Sequence, residues 1–365
     1  MKKHTQRILV TGGTGSWGNE LVSQIVDQTE IGKIIIYSRG EHKQVEMKRR
    51  FSSKLNKLKF IIGDVRDIER LKVAMKNVDK VFHMAALKHV PVCEENPWEA
   101  VQTNVNGTNN VIEAAIHNDV KRVIFISTDK AVDPLNLYGV TKSCAEKLII
   151  NANMLTNNTD FVCLRAGNVL GTNGSVVPLF IEQIRKSNCI TITHPEMTRF
   201  FLRIEDAIRL VLKAEREAVG GEITVVKMPA CKITDLAQVL IEEFGNDKTK
   251  KRTIGIRPGE KIHEVLISRY EADRIIQKGE WFIILPMVPI QKIDRKYAKE
   301  KRSNIKEEYS SLNAYQLTNE GIRKMLQLGG FLESDFISPL SGMGPDDLLN
   351  YFRKEGWVQQ KYKKQ

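Results

Sequence analysis

Short runs of apolar, mostly β-branched residues alternate with segments of helical period through the first half of the chain. The apolar runs cover residues 7–10, 33–37, 58–62, 80–84, 122–126 and 160–164. The segments between them include stretches of helical length at 19–28, 97–117 and 136–157. Strands that are apolar along their whole length and alternate with helices are typical of a parallel sheet that is buried on both faces. The pattern therefore predicts an α/β fold with a doubly wound parallel sheet.

The alternation becomes less regular after Arg165. A loop rich in Gly and Asn is predicted at 167–174, helices at 176–186, 204–217 and 234–244, and short strands at 190–193, 221–227 and 252–256. We expect a cofactor-binding domain over 1–168, to which elements from about 204–230 return, and a smaller C-terminal substrate-binding lobe over 169–330. The remainder, 331–365, is predicted to be a C-terminal extension with a helix that starts at Pro345, and 361–365 is predicted to be frayed.

Composition restricts the class of protein. The chain has 365 residues, of which 42% are hydrophobic, so it can bury a full core and is not predicted to be intrinsically disordered. The longest dense apolar stretch, 281–290, contains two prolines and is half the length of about 20 residues that a membrane span needs. The N-terminus has no apolar segment of signal-peptide type, so a cytoplasmic protein is expected.

Charge and cysteine spacing remove two further kinds of site. The five cysteines and seven histidines show no spacing typical of metal ligands, so no metal site is predicted. The net charge is +12, yet the basic clusters at 248–252 and 292–302 contain no run of aromatic residues that could stack on bases. Phosphate-rich small molecules are therefore favoured over nucleic acid as partners.

A glycine motif follows the first predicted strand directly and opens a helix. Gly12 permits a tight turn, Gly15 lets the backbone approach a pyrophosphate at the helix N-terminus, and Gly18 allows close packing of the helix. This spacing, in this context, predicts a dinucleotide-binding site of the Rossmann type.

The end of the second strand indicates which dinucleotide is bound. Enzymes that use NAD usually have an acidic residue there, whereas this chain has Ser38, Arg39 and, four residues later, Lys43. A hydroxyl and two cations suit a 2′-phosphate, so NADP is favoured over NAD. Asp64, after the third strand, either holds the adenine edge or caps the helix that follows.

Tyr138 and Lys142 are four residues apart on a predicted helix, so both side chains lie on one face. A lysine beside a tyrosine is expected to lower the phenol pKa from about 10, which would let Tyr138 accept a proton from a sugar hydroxyl while hydride leaves the same carbon. Asp129 and Lys130 follow a strand end nearby. They form either a surface ion pair or the acid and base of a second proton transfer, such as an elimination beside a transient ketone.

These motifs stand together in a recognisable order. The chain resembles the extended short-chain dehydrogenases/reductases of the nucleotide-sugar branch, and in particular the soluble UDP-N-acetylglucosamine 4,6-dehydratases of the polysaccharide-biosynthesis family. The resemblance covers about residues 7–270. The segments that carry it are TGGTGSWG (11–18), YSRGEHKQ (37–44), IGDVRD (62–67), HMAALKHVP (83–91), TNVNGTNNV (103–111), STDKAVDPLNLYGVTK (127–142), RAGNVLGTNGSVVPLF (165–180), TRFF (198–201) and RPGEKIHE (257–264).

The resemblance implies a role for each matching residue. Tyr138 would deprotonate the C4 hydroxyl, Lys130 would take the C5 proton, Asp129 would release the C6 hydroxyl as water, and Thr128 would orient the sugar. The implied cofactor-binding set is Thr11, Gly12, Thr14, Gly15, Ser16, Gly18, Ser38, Arg39, Lys43, Asp64, Val65, Ala85, Ala86, Lys88, Asn104, Tyr138 and Lys142. The implied substrate-binding set is Lys88, Thr128, Asn168, Val176, Arg199, Arg257 and Glu260.

Several features leave alternatives within and outside this family. Tyr138, where some epimerising or membrane-linked relatives have Met, favours the C5-inverting group, although the segment that contains His194 also resembles C5-retaining dehydratases. A UDP-sugar 4-epimerase would share Tyr138 but would not need Asp129 with Lys130, and a cofactor-binding sensor would need none of them. The resemblance also implies a homo-oligomer, from dimer to hexamer, formed through the helices predicted at 97–117 and 136–157.

Overall fold

The computed structural model describes residues 5–172, 175–303, 305, 307–333 and 345–360. The strands are β1 Gln6–Thr11, β2 Ile31–Ser38, β3 Leu58–Ile62, β4 Lys80–His83, β5 Arg122–Thr128, β6 Asp160–Ala166, β7 Cys189–Ile192, β8 Thr198–Phe200, β9 Ile223–Val226, β10 Ala230–Lys232, β11 Lys250–Thr253, β12 Val265–Ile267, β13 Ile275–Lys278, β14 Trp281–Ile284, β15 Tyr309–Ser310, β16 Gln316–Leu317 and β17 Val358–Gln359.

The α-helices are α1 Ser16–Ile25, α2 Glu41–Arg50, α3 Ile68–Ala74, α4 Val90–Glu95, α5 Pro97–Val101, α6 Gly107–His117, α7 Leu137–Ala152, α8 Val176–Ser187, α9 Ile204–Glu217, α10 Ile233–Phe244, α11 Gln291–Tyr297, α12 Asn319–Leu328 and α13 Pro345–Lys354. Short 3-10 helices cover Ser52–Lys54, Asp129–Ala131 and Arg269–Arg274, and a π-helical turn covers Gln102–Asn106.

The main sheet has the strand order β13-β14-β9-β6-β5-β4-β1-β2-β3. Strands β1 to β6 and β9 pair in parallel, so the predicted doubly wound α/β fold is confirmed. Strands β14 and β13 extend it as an antiparallel edge pair, which the alternating pattern did not predict. A tight turn connects this pair at Gly279, whose φ of +57° suits glycine.

Strand β1 pairs with β2 on one side and β4 on the other, which makes this the point where the strand order reverses. In open α/β sheets the ligand crevice forms at such a point, outside the carboxyl ends of the strands. The ends of β4, β5 and β6 lie in register beside it, with His83 opposite Phe125 and Thr128 opposite Ala166. The loops that leave these strands therefore converge on one edge of the sheet.

A second hydrophobic cluster lies beside this sheet and joins α8, α10, α12 and α13 through residues such as Phe180, Leu236, Ile322 and Phe352. Strands β17, β16, β10 and β8 form a four-stranded sheet in that order. The helix predicted to start at Pro345 is confirmed as α13. The predicted fraying of 361–365 and the last two residues of the predicted loop 167–174 lie outside the described residues.

Several predicted element boundaries are wrong. The helix predicted over 19–28 is α1, which starts at Ser16 and ends at Ile25. The helix predicted over 97–117 is divided by the π-helical turn into α5 and α6, and α7 ends at Ala152 rather than near 157. The strand predicted at 252–256 is β11, which ends at Thr253, because Gly255 adopts a φ of +89° that a strand cannot continue through. The apolar stretch from 281 forms β14 and a loop, and among the described residues there is no helix long and apolar enough to cross a membrane.

Helix α7 is fixed to the sheet by a buried cluster of ions. Arg165 on β6 donates to both carboxylate oxygens of Glu146 on α7, at 3.0 and 2.7 Å. It also donates to Glu271 in the last 3-10 helix, at 3.0 and 3.1 Å, and to the carbonyl of Leu266 at 2.8 Å. Burial would lower the pKa of Arg165, but the two carboxylates hold it well above its ordinary value. The guanidinium is therefore charged, and the cluster sets the position of the helix that carries Tyr138.

Candidate active site

A cleft of about 970 Å³ opens at the carboxyl ends of the parallel strands. It brings together most of the residues that the sequence singled out. The predicted residues in its lining are Gly12, Thr14, Gly15, Ser16, Ser38, Arg39, Lys43, Asp64, Val65, Ala85, Ala86, Lys88, Thr128, Asp129, Lys130, Tyr138, Lys142 and Asn168. These residues are widely separated in the sequence. The fold assembles one continuous site from the glycine motif, the second strand end and the segment Thr128–Lys130, which we name the acid–base motif.

The glycine loop has the geometry that a dinucleotide diphosphate needs. Gly12 has a φ of +66°, and a Cβ there would lie 2.8 Å from the backbone nitrogen of Ala85, so only glycine fits. Gly15 precedes α1 as its N-cap and provides no side-chain cap for the first N–H groups. Backbone N–H groups at a helix N-terminus bind phosphate oxygens, and the residues present therefore fit the diphosphate of a dinucleotide.

Three residues of the predicted cofactor set lie beneath the cleft and support its walls. Buried Thr11 contacts His83 at 2.7 Å, and its hydroxyl accepts from the N–H of Ala85 at 3.3 Å. Buried Asn104, in the π-helical turn, accepts from the N–H of Leu87 at 2.8 Å. The third of these residues is Gly18. A Cβ at this position would collide with the backbone of the preceding glycine loop. These residues fix the loops that the lining residues occupy.

The second strand end places two cations at the cleft. Arg39 and Lys43 line it, and the hydroxyl of buried Ser38 accepts from the Gln44 amide at 3.1 Å. The proposed alternative for Asp64 as a helix cap is wrong, because Asp67 caps α3 by accepting from a backbone N–H at 2.9 Å.

Asp64 instead lines the cleft near the guanidinium groups of two arginines. Its carboxylate accepts from Arg66 at 2.7 and 2.9 Å and lies 3.7 Å from Arg39. Burial works to raise the pKa of Asp64, but these hydrogen bonds and cations bring it below its ordinary value. The carboxylate is therefore ionised, and it holds Arg39 at the cleft.

The acid–base motif forms a 3-10 turn directly after β5. Asp129 is fully buried, and its Oδ1 accepts from the Thr128 hydroxyl at 2.9 Å and from Lys130 Nζ at 3.0 Å. Helix α7 begins close to this turn, because Gly139 has no Cβ to collide with the carbonyl oxygen of Lys130. This approach brings Tyr138, at the start of α7, to the same part of the cleft as Asp129 and Lys130.

The expected effect of Lys142 on Tyr138 is wrong for the protein alone. Burial raises the pKa of Tyr138 to about 12, and the cation that opposes this rise is Lys130, together with a hydrogen bond to Thr128. Lys142 Nζ instead donates to the carbonyl of Ile126 at 2.6 Å, and burial lowers its own pKa to about 8. Helical spacing put both residues on one face, but the lysine is long enough to turn to a carbonyl of the sheet.

Glu264 is a residue of this site that the sequence reasoning missed. Its buried carboxylate lies 3.2 Å from Lys130 Nζ and 3.5 Å from Arg199 Nε. It is part of the motif at 257–264, in which the family resemblance implies a role only for Arg257 and Glu260. The charged residues at the end of that motif indicate a functional segment. Nothing in the local sequence shows that Glu264 reaches the turn at Lys130, more than 130 positions earlier.

Four of the predicted substrate-binding residues lie outside the lining that the described residues form. Val176 starts α8, exposed Arg257 and half-buried Glu260 share a loop, and Glu260 accepts from the backbone N–H of Arg257 at 3.2 Å. Arg199 is buried and donates to the carbonyls of Lys261 and Ile262 at 2.9 and 3.0 Å.

The segment 257–264 is fixed against the first half of the chain at several points. The Asn136 amide, at the N-cap of α7, donates to the carbonyl of Gly259 at 2.9 Å. Lys261 Nζ donates to the carbonyl of Val132, just after the acid–base turn. This segment therefore connects the acid–base turn and α7 to the part of the chain that follows the parallel strands.

Several buried polar atoms in the cleft make no hydrogen bond to any residue that the structure describes. They are Thr103 Oγ1, Ser127 Oγ, Asp129 Oδ2, Asn168 Oδ1 and Ser175 Oγ. An unpaired buried polar atom costs about 1–3 kcal/mol, so a ligand rich in hydroxyl and amide groups would be stabilised here. The described residues contain no cluster of His, Cys, Asp and Glu suited to a metal ion.

Comparison with known proteins agrees with this architecture. The profile of the family described as "Polysaccharide biosynthesis protein" matches residues 8–286. The chain belongs to this family. It is 43% identical over 324 residues to a protein of Campylobacter jejuni named "UDP-N-acetylglucosamine 4,6-dehydratase (inverting)", with 86% of this chain and 95% of that protein covered.

Two further members extend the comparison. A protein of Rickettsia akari named "UDP-glucose 4-epimerase" is 42% identical over 338 residues, which cover 90% of this chain and 97% of that protein. The X-ray structure of Pen from Bacillus thuringiensis superposes with a TM-score of 0.83 at 38% identity and covers 91% of this chain and 100% of its own. Family members of nearly the same length therefore carry different activity names, and the site has to distinguish them.

Proposed function

We propose that this protein is a nucleotide-sugar 4,6-dehydratase that converts UDP-N-acetylglucosamine to a 4-keto-6-deoxy sugar nucleotide for polysaccharide or glycan biosynthesis. The observation that carries the proposal is the convergence of Tyr138 with Asp129 and Lys130 in one cleft. A dehydrogenation needs only the first of these groups, whereas loss of water needs a further acid and base. The name of the Campylobacter relative supports the same reaction.

The cleft residues divide between two proton transfers. Tyr138 accepts the C4 hydroxyl proton, and a bound nicotinamide dinucleotide supplies the hydride acceptor and donor for C4 and C6. The C4 ketone makes the C5 proton acidic, so oxidation precedes elimination. Lys130 then takes the C5 proton while Asp129 protonates the departing C6 hydroxyl, and Thr128 orients the sugar through the hydroxyl that it also gives to Asp129.

The remaining predicted residues hold the substrate and fix the product. Lys88 and Asn168 line the cleft and bind the sugar nucleotide. Val176, Arg199, Arg257 and Glu260 lie outside the cleft lining, and the family resemblance assigns them to the diphosphate and uridine. Partial burial and the Lys130 cation both lower the pKa of Lys88. We assign inversion at C5. The presence of Tyr138 and the name of the Campylobacter relative both favour inversion over retention.

One assay separates this reaction from its rivals. The protein, its cofactor and UDP-N-acetylglucosamine are incubated together, and the product is analysed by mass spectrometry. A dehydratase gives a product lighter by one water, a 4-epimerase gives an isomer of unchanged mass, and a sensor gives no product. The epimerase name of the Rickettsia relative makes this the necessary first experiment. NMR of a dehydrated product then assigns C5.

The cofactor is NADP in this proposal. Ser38, Arg39 and Lys43 face the cleft at the end of β2, where an acidic residue would select NAD. Both cations suit a 2′-phosphate, and the Asp64 carboxylate lies 3.7 Å from the Arg39 guanidinium.

Arg39→Ala should weaken NADP binding selectively. Loss of one charge-assisted contact to the 2′-phosphate should cost about 1.5–3 kcal/mol, and NAD has no such phosphate to lose. Calorimetric titration with each dinucleotide measures the difference, and Arg49→Ala, which removes an exposed cation later on α2, is the matched control. Equal weakening of NAD and NADP by Arg39→Ala would contradict the assignment.

The protein should form at least a dimer through the faces of α5, α6 and α7. Two large apolar side chains on these helices are solvent-exposed in the single chain, Trp98 at 65% and Val140 at 48%. An isologous contact would bury both in each subunit. Light scattering at micromolar concentration should give a multiple of the chain mass, and Trp98→Glu should lower it. A fully active protein of single-chain mass would refute this assembly.

A further inference from the structure

Lys130 lies between two carboxylates, of which only one belongs to the acid–base motif. Its Nζ is 3.0 Å from Asp129 Oδ1 and 3.2 Å from Glu264 Oε1. Both carboxylates are buried, and each has a second oxygen that makes no hydrogen bond to any described residue. Three titratable groups therefore share their protons in one water-poor cluster.

The backbone fixes Glu264 in this position. Its N–H donates to the hydroxyl of Ser311 at 2.9 Å, and its carbonyl accepts from the N–H of the same residue at 2.7 Å. Strand β12 starts at the next residue. The side chain therefore reaches Lys130 from a rigid part of the fold.

An isolated Asp129–Lys130 pair would have its proton on Lys130, whereas elimination needs the proton on Asp129. A neighbouring carboxyl and amine in a protein form a carboxylate and an ammonium ion. Elimination needs the reverse, with a proton on Asp129 to give to the leaving hydroxyl and a free electron pair on Lys130 to take the C5 proton.

We propose that Glu264 is a positioning residue that keeps Asp129 protonated, because it takes over the pairing with Lys130. This inference rests on the proposed dehydratase function. The two carboxylates are not equivalent. Glu264 is within 3.5 Å of two cations, Lys130 and Arg199, whereas among the described residues Asp129 has an ion-pair contact with Lys130 only. When both compete for one ammonium ion, the proton stays on Asp129.

The electrostatic surroundings agree with this order. Burial raises the pKa of Asp129, and the negative charge of Glu264 raises it further against the effect of Lys130. Burial also works to raise the pKa of Glu264, but Lys130 and Arg199 bring it below its ordinary value. Burial would lower the pKa of Lys130, yet the two carboxylates hold it above its ordinary value. Lys261 and Tyr138 are the other titratable groups that act on the cluster.

The proton balance closes with two protons on the three groups. In the resting protein they are on Asp129 and Lys130, and Nζ passes its proton to Glu264 Oε1 only as it takes the C5 proton, so no neutral Lys130 accumulates. Elimination then moves the C5 proton to Lys130 and the Asp129 proton to the C6 hydroxyl, and water leaves as the C5–C6 double bond forms. The cluster ends with a carboxylate on Asp129, an ammonium on Lys130 and a carboxylic acid on Glu264.

Glu264→Gln tests the proposal, since it keeps the shape of the side chain and removes its charge. Loss of that charge lowers the pKa of Asp129, so the decline of elimination with rising pH should move to lower pH. At neutral pH elimination should fall by about 10²-fold, while oxidation at C4 continues. Rapid quench and mass spectrometry separate the 4-keto sugar from the dehydrated product across a pH series.

Two variants control for damage to the fold. Glu215→Gln removes another buried, ion-paired carboxylate, on α9 away from the cleft, and should leave the pH dependence where it is. Glu264→Asp keeps the negative charge and should also leave the pH dependence of elimination unchanged. A Glu264→Gln protein that slows oxidation and elimination equally with no pH displacement, or that eliminates at the wild-type rate, would overturn the proposal.

Infrared spectroscopy tests the protonation directly and without substrate. The wild type should show the carbonyl band of a protonated carboxyl group that is absent in Asp129→Asn and lost in Glu264→Gln. Absence of that band from the wild type would overturn the inference even if Glu264→Gln cannot be folded. A wild type that shows the band but removes no water would refute the dehydratase function and leave the protonation assignment standing.

Discussion

Tyr138→Phe should lower turnover of UDP-N-acetylglucosamine by about 10²–10⁴-fold, because it removes the acceptor of the C4 hydroxyl proton. Every later step needs the C4 ketone, so neither the 4-keto sugar nor the dehydrated product should form at an appreciable rate. The substitution deletes one oxygen atom at a buried position and should leave the fold and ligand binding nearly unchanged. Mass spectrometry of timed samples measures the rate, and calorimetry measures binding.

The matched control is Tyr270→Phe, which deletes the same oxygen from an exposed tyrosine outside the cleft. It should retain wild-type turnover. A Tyr138→Phe protein that keeps more than a tenth of wild-type turnover would show that another group accepts the C4 proton. The raised pKa of Tyr138, about 12 in the protein alone, makes the nearby Lys130 cation important for its role as acceptor.

Lys130→Ala should stop the reaction one step later. Oxidation at C4 should slow, because Tyr138 loses the cation that opposes the rise of its pKa, but removal of the C5 proton should fall further, by about 10²–10⁴-fold. A 4-keto sugar that still carries its C6 hydroxyl should therefore accumulate. Single-turnover quenching with borodeuteride labels this ketone at C4 and identifies it by mass.

A substrate deuterated at C5 tests the same step independently. The wild type should release deuterium to water, because Lys130 takes it up and the half-buried ammonium group exchanges its protons with solvent. Lys130→Ala should retain the label, and Lys147→Ala, which removes an exposed lysine from α7, should behave as the wild type. Loss of C5 deuterium from Lys130→Ala at the wild-type rate would exclude Lys130 as the base.

The parallel part of the sheet could be predicted because its strands are apolar along their whole length and its helices keep a regular period. The antiparallel edge pair β13 and β14 could not be predicted from the sequence. Strand β13 has only two buried residues, Ile275 and Ile276, before polar side chains begin, and the apolar run that contains β14 continues beyond the strand. Likewise, the π-helical turn changes the hydrogen bonds of the backbone without interrupting the apolar spacing of the sequence.

The site was predictable where its residues are close in sequence or belong to one motif. Asp129, Lys130 and Tyr138 lie within ten positions, and the turn and helix that join them have local signals. Glu264 could not be assigned in the same way, because its contact with Lys130 depends on how β12 packs beside the turn. The orientation of Lys142 was equally inaccessible, since helical spacing fixes a face and not the direction in which a long side chain extends.

The segment 257–264 has a consequence for protein engineering. Its contacts through Gly259, Lys261 and Glu264 all reach the half of the chain that carries the acid–base turn, although it follows that turn by more than a hundred residues. A hybrid enzyme built by exchanging everything after β6 between relatives would bring in a foreign version of this segment. Hybrids should therefore exchange the residues after β6 while retaining residues 257–264 from the parent that provides the acid–base turn.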